Sequence, residues 1–172
     1  MLKYSGHFRT WQSYFQGGST MKIESTRFGT LEVAPEQIIH FPHGIPGFLD
    51  EKAFVHLPHD ENSPFSFLQS TAEADLSFLL VEPFSFIPEY EFILGDEMAG
   101  ELELSEENPP QVFLIGTVRE KITDMTVNLL APIVVNRNKG IGRQIILDKT
   151  EYSIRHKLFP EAQAQGTSEG GE

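Results

Sequence analysis

The sequence predicts an all-β chain: an antiparallel β-barrel-like or sandwich single domain with one short helix. Three observations lead there. From Met21 onward, runs of β-branched and aromatic residues recur, cut by Gly, Pro, Asn and Asp. No long amphipathic segment is available to supply the crossover helices of a parallel sheet. The 172 residues suit one domain with a sizeable core.

Taken in order, the strand patterns fall at 22–28, 30–33, 37–41, 53–57, 65–70 and 76–82, then at 89–94, 111–118, 125–130, 133–136, 143–147 and 152–155. Phe65-Ser66-Phe67 alternates, which buries one face and wets the other. The stretches 76–81 and 112–115 are nearly continuous in apolar residues and read as central strands. One helix of about two turns is expected over 96–104, with Asp96 as N-cap. Met98, Leu102 and Leu104 would face the core, and Gly100 weakens the segment.

Residues 1–20 do not share the strand pattern. They read as translated upstream sequence ahead of a start at Met21, or as the remnant of a tag, with a functional extension as the remaining alternative. Residues 161–172 hold no large apolar side chain and are expected to form a disordered tail, leaving 21–160 as the domain.

The chain has no cysteine, which excludes disulfides and thiolate chemistry and fits a reducing compartment. No apolar run approaches the ~20 residues of a membrane span. A soluble, cytoplasmic protein without a membrane partner is expected. Thirteen basic residues stand against 25 acidic ones, a net charge of −12, which argues against direct nucleic-acid binding. No Lys or Arg occurs from Ala53 to Val118, where 13 acids fall. Folding is expected to gather these into one acidic region, either a solvated surface or a steering field for a basic partner.

Two H-x-P-H pairs, His40/His43 and His56/His59, contain the residue types of a metal site. Their i, i+3 spacing on extended backbone points the rings to opposite faces, so ordinary strand-end histidines and no metal are expected. There is no nucleophile elbow, P-loop or dinucleotide fingerprint. Gly140-Ile141-Gly142 reads as a hairpin loop.

Two segments are more distinctive. The loop 41–49 has two prolines and two glycines, yet carries Phe41, Ile45, Phe48 and Leu49 around Pro42 and Pro46. These side chains either plug a barrel end or form a rigid exposed patch for a protein partner. In 128–136, Pro132 marks an edge or bulge, and the flanking Asn128 and Asn136 can bond to freed backbone groups.

Five stretches together resemble the FliW flagellar assembly factors. They are Thr26-Arg27-Phe28-Gly29; Ile38-Ile39-His40-Phe41-Pro42 running into Gly44-Ile45-Pro46-Gly47-Phe48; Pro64-Phe65 with Phe67-Leu68-Gln69-Ser70; Phe78 through Pro83; and Thr126-Val127-Asn128-Leu129-Leu130-Ala131-Pro132-Ile133-Val134-Val135-Asn136, followed by Gln144. They keep the family's order over about 21–150. The resemblance implies a β-barrel-like fold without enzyme activity or cofactor, monomeric when free. It also implies two protein partners: flagellin, and CsrA, the RNA-binding repressor of flagellin translation. Within the base-free acidic run, Glu101, Glu103, Glu106 and Glu107 are the candidates to face CsrA, and the apolar excess of the 41–49 loop makes it a candidate anchor for one partner. The alternative is a β-barrel that binds a small ligand or divalent metal. A large polar-lined interior cavity would favour it, and a filled barrel with an apolar surface patch would favour protein binding.

Overall fold

The computed structural model describes residues 2–4, 18–148 and 151–160. The tail at 161–172 and most of 1–20 lie outside the described residues. Among the described residues, thirteen strands and one α-helix follow in order, with three single 3-10 turns between them. They are β1 (Leu2–Tyr4), β2 (Met21–Ser25), β3 (Gly29–Val33), β4 (Ile38–His40), β5 (Ala53–Pro58), β6 (Phe65–Ser70), β7 (Ser77–Val81), β8 (Phe92–Leu94), α1 (Asp96–Glu101), β9 (Gln111–Thr117), β10 (Thr126–Val127), β11 (Ile133–Asn136), β12 (Ile141–Gln144) and β13 (His156–Lys157).

Seven of them close a barrel in the order β11-β12-β4-β5-β6-β7-β9, sealed by β9 against β11. Closure satisfies the main-chain groups that an open sheet would leave at its edges. All pairings are antiparallel except one: β12 runs parallel to β4, with Ile141 opposite His40. That exception departs from the wholly antiparallel expectation. It arises because the tight turn after β11 delivers β12 to the barrel alongside the first barrel strand, His40 N–H donating to Gly140 O at 2.7 Å.

Side-chain alternation sorts the core into layers. Inward-facing Ile39, Phe41, Phe54, Leu68, Leu80, Phe113, Ile133 and Val135 fill the barrel, together with Ile45. Outward-facing Val81, Val112, Leu114 and Val134 pack under a second layer built from Tyr90, Phe92, Leu94, Ala99 and Leu102. The β2–β3 hairpin covers the outer face of β5 through Ile23, Val33 and Val55. Strands β7 and β9 are therefore buried on both faces, which explains their unbroken apolar runs.

The helix is shorter than 96–104, and its N-cap is Gly95 and not Asp96. Leu102 and Leu104 are buried as expected, with Met98 partly so. The strand expected at 152–155 is absent: 154–155 form a turn and β13 follows. Tyr152 instead accepts a bond from Glu91 N–H at 3.1 Å and donates to Glu91 O at 2.8 Å. Strand β1 pairs with β8, with Lys3 Nζ 2.9 Å from Glu91 Oε2.

Candidate protein-binding surface

The 41–49 loop divides its apolar side chains between two tasks. Phe41 and Ile45 are fully buried, and the Phe41 ring meets Phe54 edge-on at 5.4 Å. Phe48 and Leu49 point out, 42% and 61% exposed, and Pro42 and Pro46 are exposed beside them. The plug and the patch are thus both present, in different residues.

The backbone holds this split. Gly44 N–H donates to Phe41 O at 2.8 Å, and Phe48 N–H donates to Ile45 O at 2.7 Å. Gly44 has φ +69°, and a Cβ there would stand 2.6 Å from Leu49 O, so both conformation and space demand glycine. Lys52 Nζ reaches Pro42 O at 3.1 Å. Although exposed, Phe48 is braced edge-on against Phe78 at 5.3 Å. An apolar side chain held on a fixed frame loses little entropy on docking.

Antiparallel pairing fixes what else shares this end of the barrel. The β6–β7 turn, with exposed Glu73 and Asp75, returns next to the loop, and Ser70 Oγ donates to Glu51 Oε2 at 2.6 Å. The β5–β6 turn, with Asp60 and Glu61, must lie at the other end. The acids are therefore spread over both ends and do not form the one region expected from the sequence. The reason is that consecutive hairpins alternate ends in an antiparallel barrel.

The four candidate glutamates are all exposed, but they are not equivalent. Glu101 accepts a bond from the Arg143 guanidinium, and its carboxylate is 3.8 Å from His43 Nε2 in the loop. Glu103 pairs with Lys139 at 2.8 Å. Glu106 and Glu107 make no ion pair among the described residues. Glu107 is held below the usual carboxylate range by its own backbone N–H and by the Ser105 hydroxyl. The structure thus brings the loop and Glu101 together through His43. Two of the four glutamates are paired with cations, Glu101 with Arg143 and Glu103 with Lys139, neither of which the sequence pattern had placed there.

Below these side chains, Asn136 is fully buried. Its Nδ2 donates to Leu102 O at 2.8 Å and Glu103 O at 3.0 Å, and its Oδ1 accepts from Lys139 N at 3.2 Å and Asn108 Nδ2 at 3.3 Å. Asn128 plays the part expected of it, its Oδ1 accepting from Leu130 N and Ala131 N. Asn136 serves the end of α1 instead.

The histidine pairs do not converge, and among the described residues no three His, Asp or Glu side chains group as metal ligands. His40 ends a strand, and His43 and His59 are exposed in loops. His56 is the correction: it sits inside β5, buried, with Nε2 2.9 Å from Ser66 Oγ and its ring against Phe113 at 5.0 Å. Burial, aided by the positive charge of Arg137, lowers its pKa to about 3. The barrel interior is filled by side chains, and no helix among the described residues is long and apolar enough to cross a membrane.

Comparison with known proteins agrees with this geometry. The model of the family described as FliW protein matches residues 22–158. A flagellar assembly factor FliW from Desulfitobacterium hafniense (strain DSM 10664 / DCB-2) is 97% identical over 152 residues, 88% of this chain and 100% of the relative. One from Heliobacterium modesticaldum (strain ATCC 51547 / Ice1) is 45% identical over 152 residues, 88% of this chain and 99% of the relative. A crystal structure of the flagellar assembly factor FliW superposes with a TM-score of 0.77 at 42% identity, covering 82% of this chain and 99% of that one. With the fold, the loop motif and the sequence all in agreement, this chain belongs to the FliW family of flagellar assembly factors.

Proposed function

We propose that this chain is a partner switch that binds flagellin in the cytoplasm and, when flagellin is scarce, binds CsrA and removes it from RNA. It acts by association alone, without cofactor or metal, and is monomeric when free. The observation that carries this reading is the pair of exposed side chains Phe48 and Leu49, set on a glycine-specified frame beside the Glu101 carboxylate. An apolar anchor with a charged rim is the anatomy of a specific protein interface. A net charge of −12 suits a partner whose own task is to hold RNA.

The test uses purified chain, flagellin and CsrA. Calorimetry should show saturable binding to each partner separately. A band-shift assay with flagellin leader RNA should show CsrA released as this protein is added and recaptured by RNA as flagellin follows. Failure of CsrA to leave the RNA at saturating protein would overturn the switch.

A further inference from the structure

A second surface carries the opposite charge. From Thr117 to Pro160 the sequence holds eight Lys or Arg against four Asp or Glu, in a chain that is otherwise strongly acidic. Topology draws part of this excess together. A groove of about 520 Å³ is lined by Thr117 at the end of β9 and Arg119 beyond it, by Thr126 of β10, and by Ile154, Arg155 and Lys157 at β13. Arg119 and Arg155 are exposed and make no ion pair among the described residues, and Asp124 is the one acid in the lining.

Two further features define what fits. The floor is apolar where Ile115 joins the groove to the barrel core, and Ile154 lies 57% exposed on its wall. Strand β13 ends the sheet order, so its outer main-chain edge has no neighbouring strand among the described residues. An uncovered edge accepts an added strand, with alternate side chains entering the adjoining groove. Because β9 runs antiparallel to β7, it ends at the same barrel end as the 41–49 loop, so this end presents both charges.

We propose that this groove is a docking site for an acidic, extended segment of a partner protein, separate from the Phe48–Glu101 surface. Carboxylates at alternate positions would meet Arg119 and Arg155 over the apolar floor at Ile115, and the intervening side chains would face away from the groove. The proposal is independent of which proteins bind the loop surface. Nucleic acid, the other anionic occupant, carries a charge at every nucleotide and would set most of them against the surrounding acids, whereas the segment needs only the few carboxylates that reach the arginines.

The experiment uses the full chain and a fluorescent decapeptide of alternating Glu and Val, with a single-stranded RNA ten-mer as competitor. The peptide should bind, its affinity should fall as salt rises, and the double substitution Arg119→Glu and Arg155→Glu should weaken it by at least about tenfold. Amide shifts of Thr117 and Thr126 in the unsubstituted protein should follow the titration, a readout that does not depend on the variant folding. RNA should not displace the peptide. Absence of peptide binding at millimolar concentration, unchanged binding after charge reversal, shifts confined to other strands, or displacement by RNA would each overturn the proposal.

Discussion

The side-chain amide of Asn136 holds the carbonyl of Glu103 at 3.0 Å, and Glu103 is the one described non-glycine residue with positive φ, at 51°. The two facts belong together. Leu104 N–H bonds to Ala99 O and Glu103 N–H to Gly100 O, which is the closing pattern of a helix whose last residue turns left-handed. Glycine is the usual occupant; a glutamate there costs about 1 kcal/mol. Asn136 offsets that cost from below.

Asn136→Ala should therefore lower stability by ~2–4 kcal/mol, since it strands the Leu102 carbonyl and the Lys139 N–H and leaves the Glu103 carbonyl with Asn108 Nδ2 alone. Glu103→Gly should be neutral or stabilising by up to about 1 kcal/mol, because the exposed pair with Lys139 contributes little. Denaturant midpoints of the two variants check the prediction.

His56 makes stability depend on pH. It is neutral in the folded chain down to about pH 3, whereas the unfolded chain takes up its proton near 6.5. Below 6.5 the unfolded state binds more protons, so stability falls as the pH falls, through the window from 6.5 to 3. Between pH 7 and 5 this amounts to about 2 kcal/mol. His56→Gln should flatten that part of the profile, as measured by urea unfolding at each pH.

Phe41 and Phe48 should fail differently. Phe41→Ala opens a cavity in the barrel and should cost ~3–5 kcal/mol of stability. Phe48→Ala removes an exposed ring braced on Phe78 and should cost about 1 kcal/mol, while speeding partner dissociation by roughly thirtyfold or more. If Phe48→Ala leaves dissociation of both partners unchanged, the patch is not an anchor.

Charge reversal separates the glutamates. Glu106→Lys with Glu107→Lys should slow CsrA association and reduce its salt dependence, with only a small fall in melting temperature from the lost Glu107–Ser105 hydrogen bond. Glu101→Lys should add a structural change, because it sets a cation against Arg143 and His43. Stopped-flow association at two salt concentrations distinguishes the two outcomes.

A chain beginning at Met21 should melt within a few degrees of the full chain. What Leu2–Tyr4 adds is a three-residue pairing and an exposed ion pair, worth under about 1 kcal/mol. A larger loss in calorimetry would show that the first twenty residues belong to the fold.

The legible parts of the fold were those decided locally. Strand β6 matches its expected bounds because Ser63-Pro64 and the Thr71 turn punctuate it on both sides. β7 and β9 were recognisable as central because both of their faces are apolar. The expected strand at 125–130 shrank to two residues because Asn128 captures the N–H groups that would have continued the ladder.

The site was half legible. Two prolines and two glycines announce a loop, but which apolar side chain turns inward depends on Gly142 across the barrel. A Cβ there would lie 2.7 Å from Phe41 Cζ, so the absence of one is what lets Phe41 in. The basic groove was not legible at all. Its cations stand singly at 119, 155 and 157, and only the pairing of β9, β10 and β13 assembles them.

The lone parallel pairing also sets the order in which the molecule can come into being. Ile141 meets His40 across a separation of 101 positions, so the first barrel strand waits for nearly the whole chain before it finds its second neighbour. During synthesis β4 through β7 can form only an open, curled sheet, with Ile39 and Phe41 uncovered along one edge. The last turn, at Arg137–Gly140, is then the clasp. Contacts this distant put folding on the slow side, in milliseconds to seconds, and a ribosome stalled before residue 141 would leave an exposed, self-adhesive strand edge.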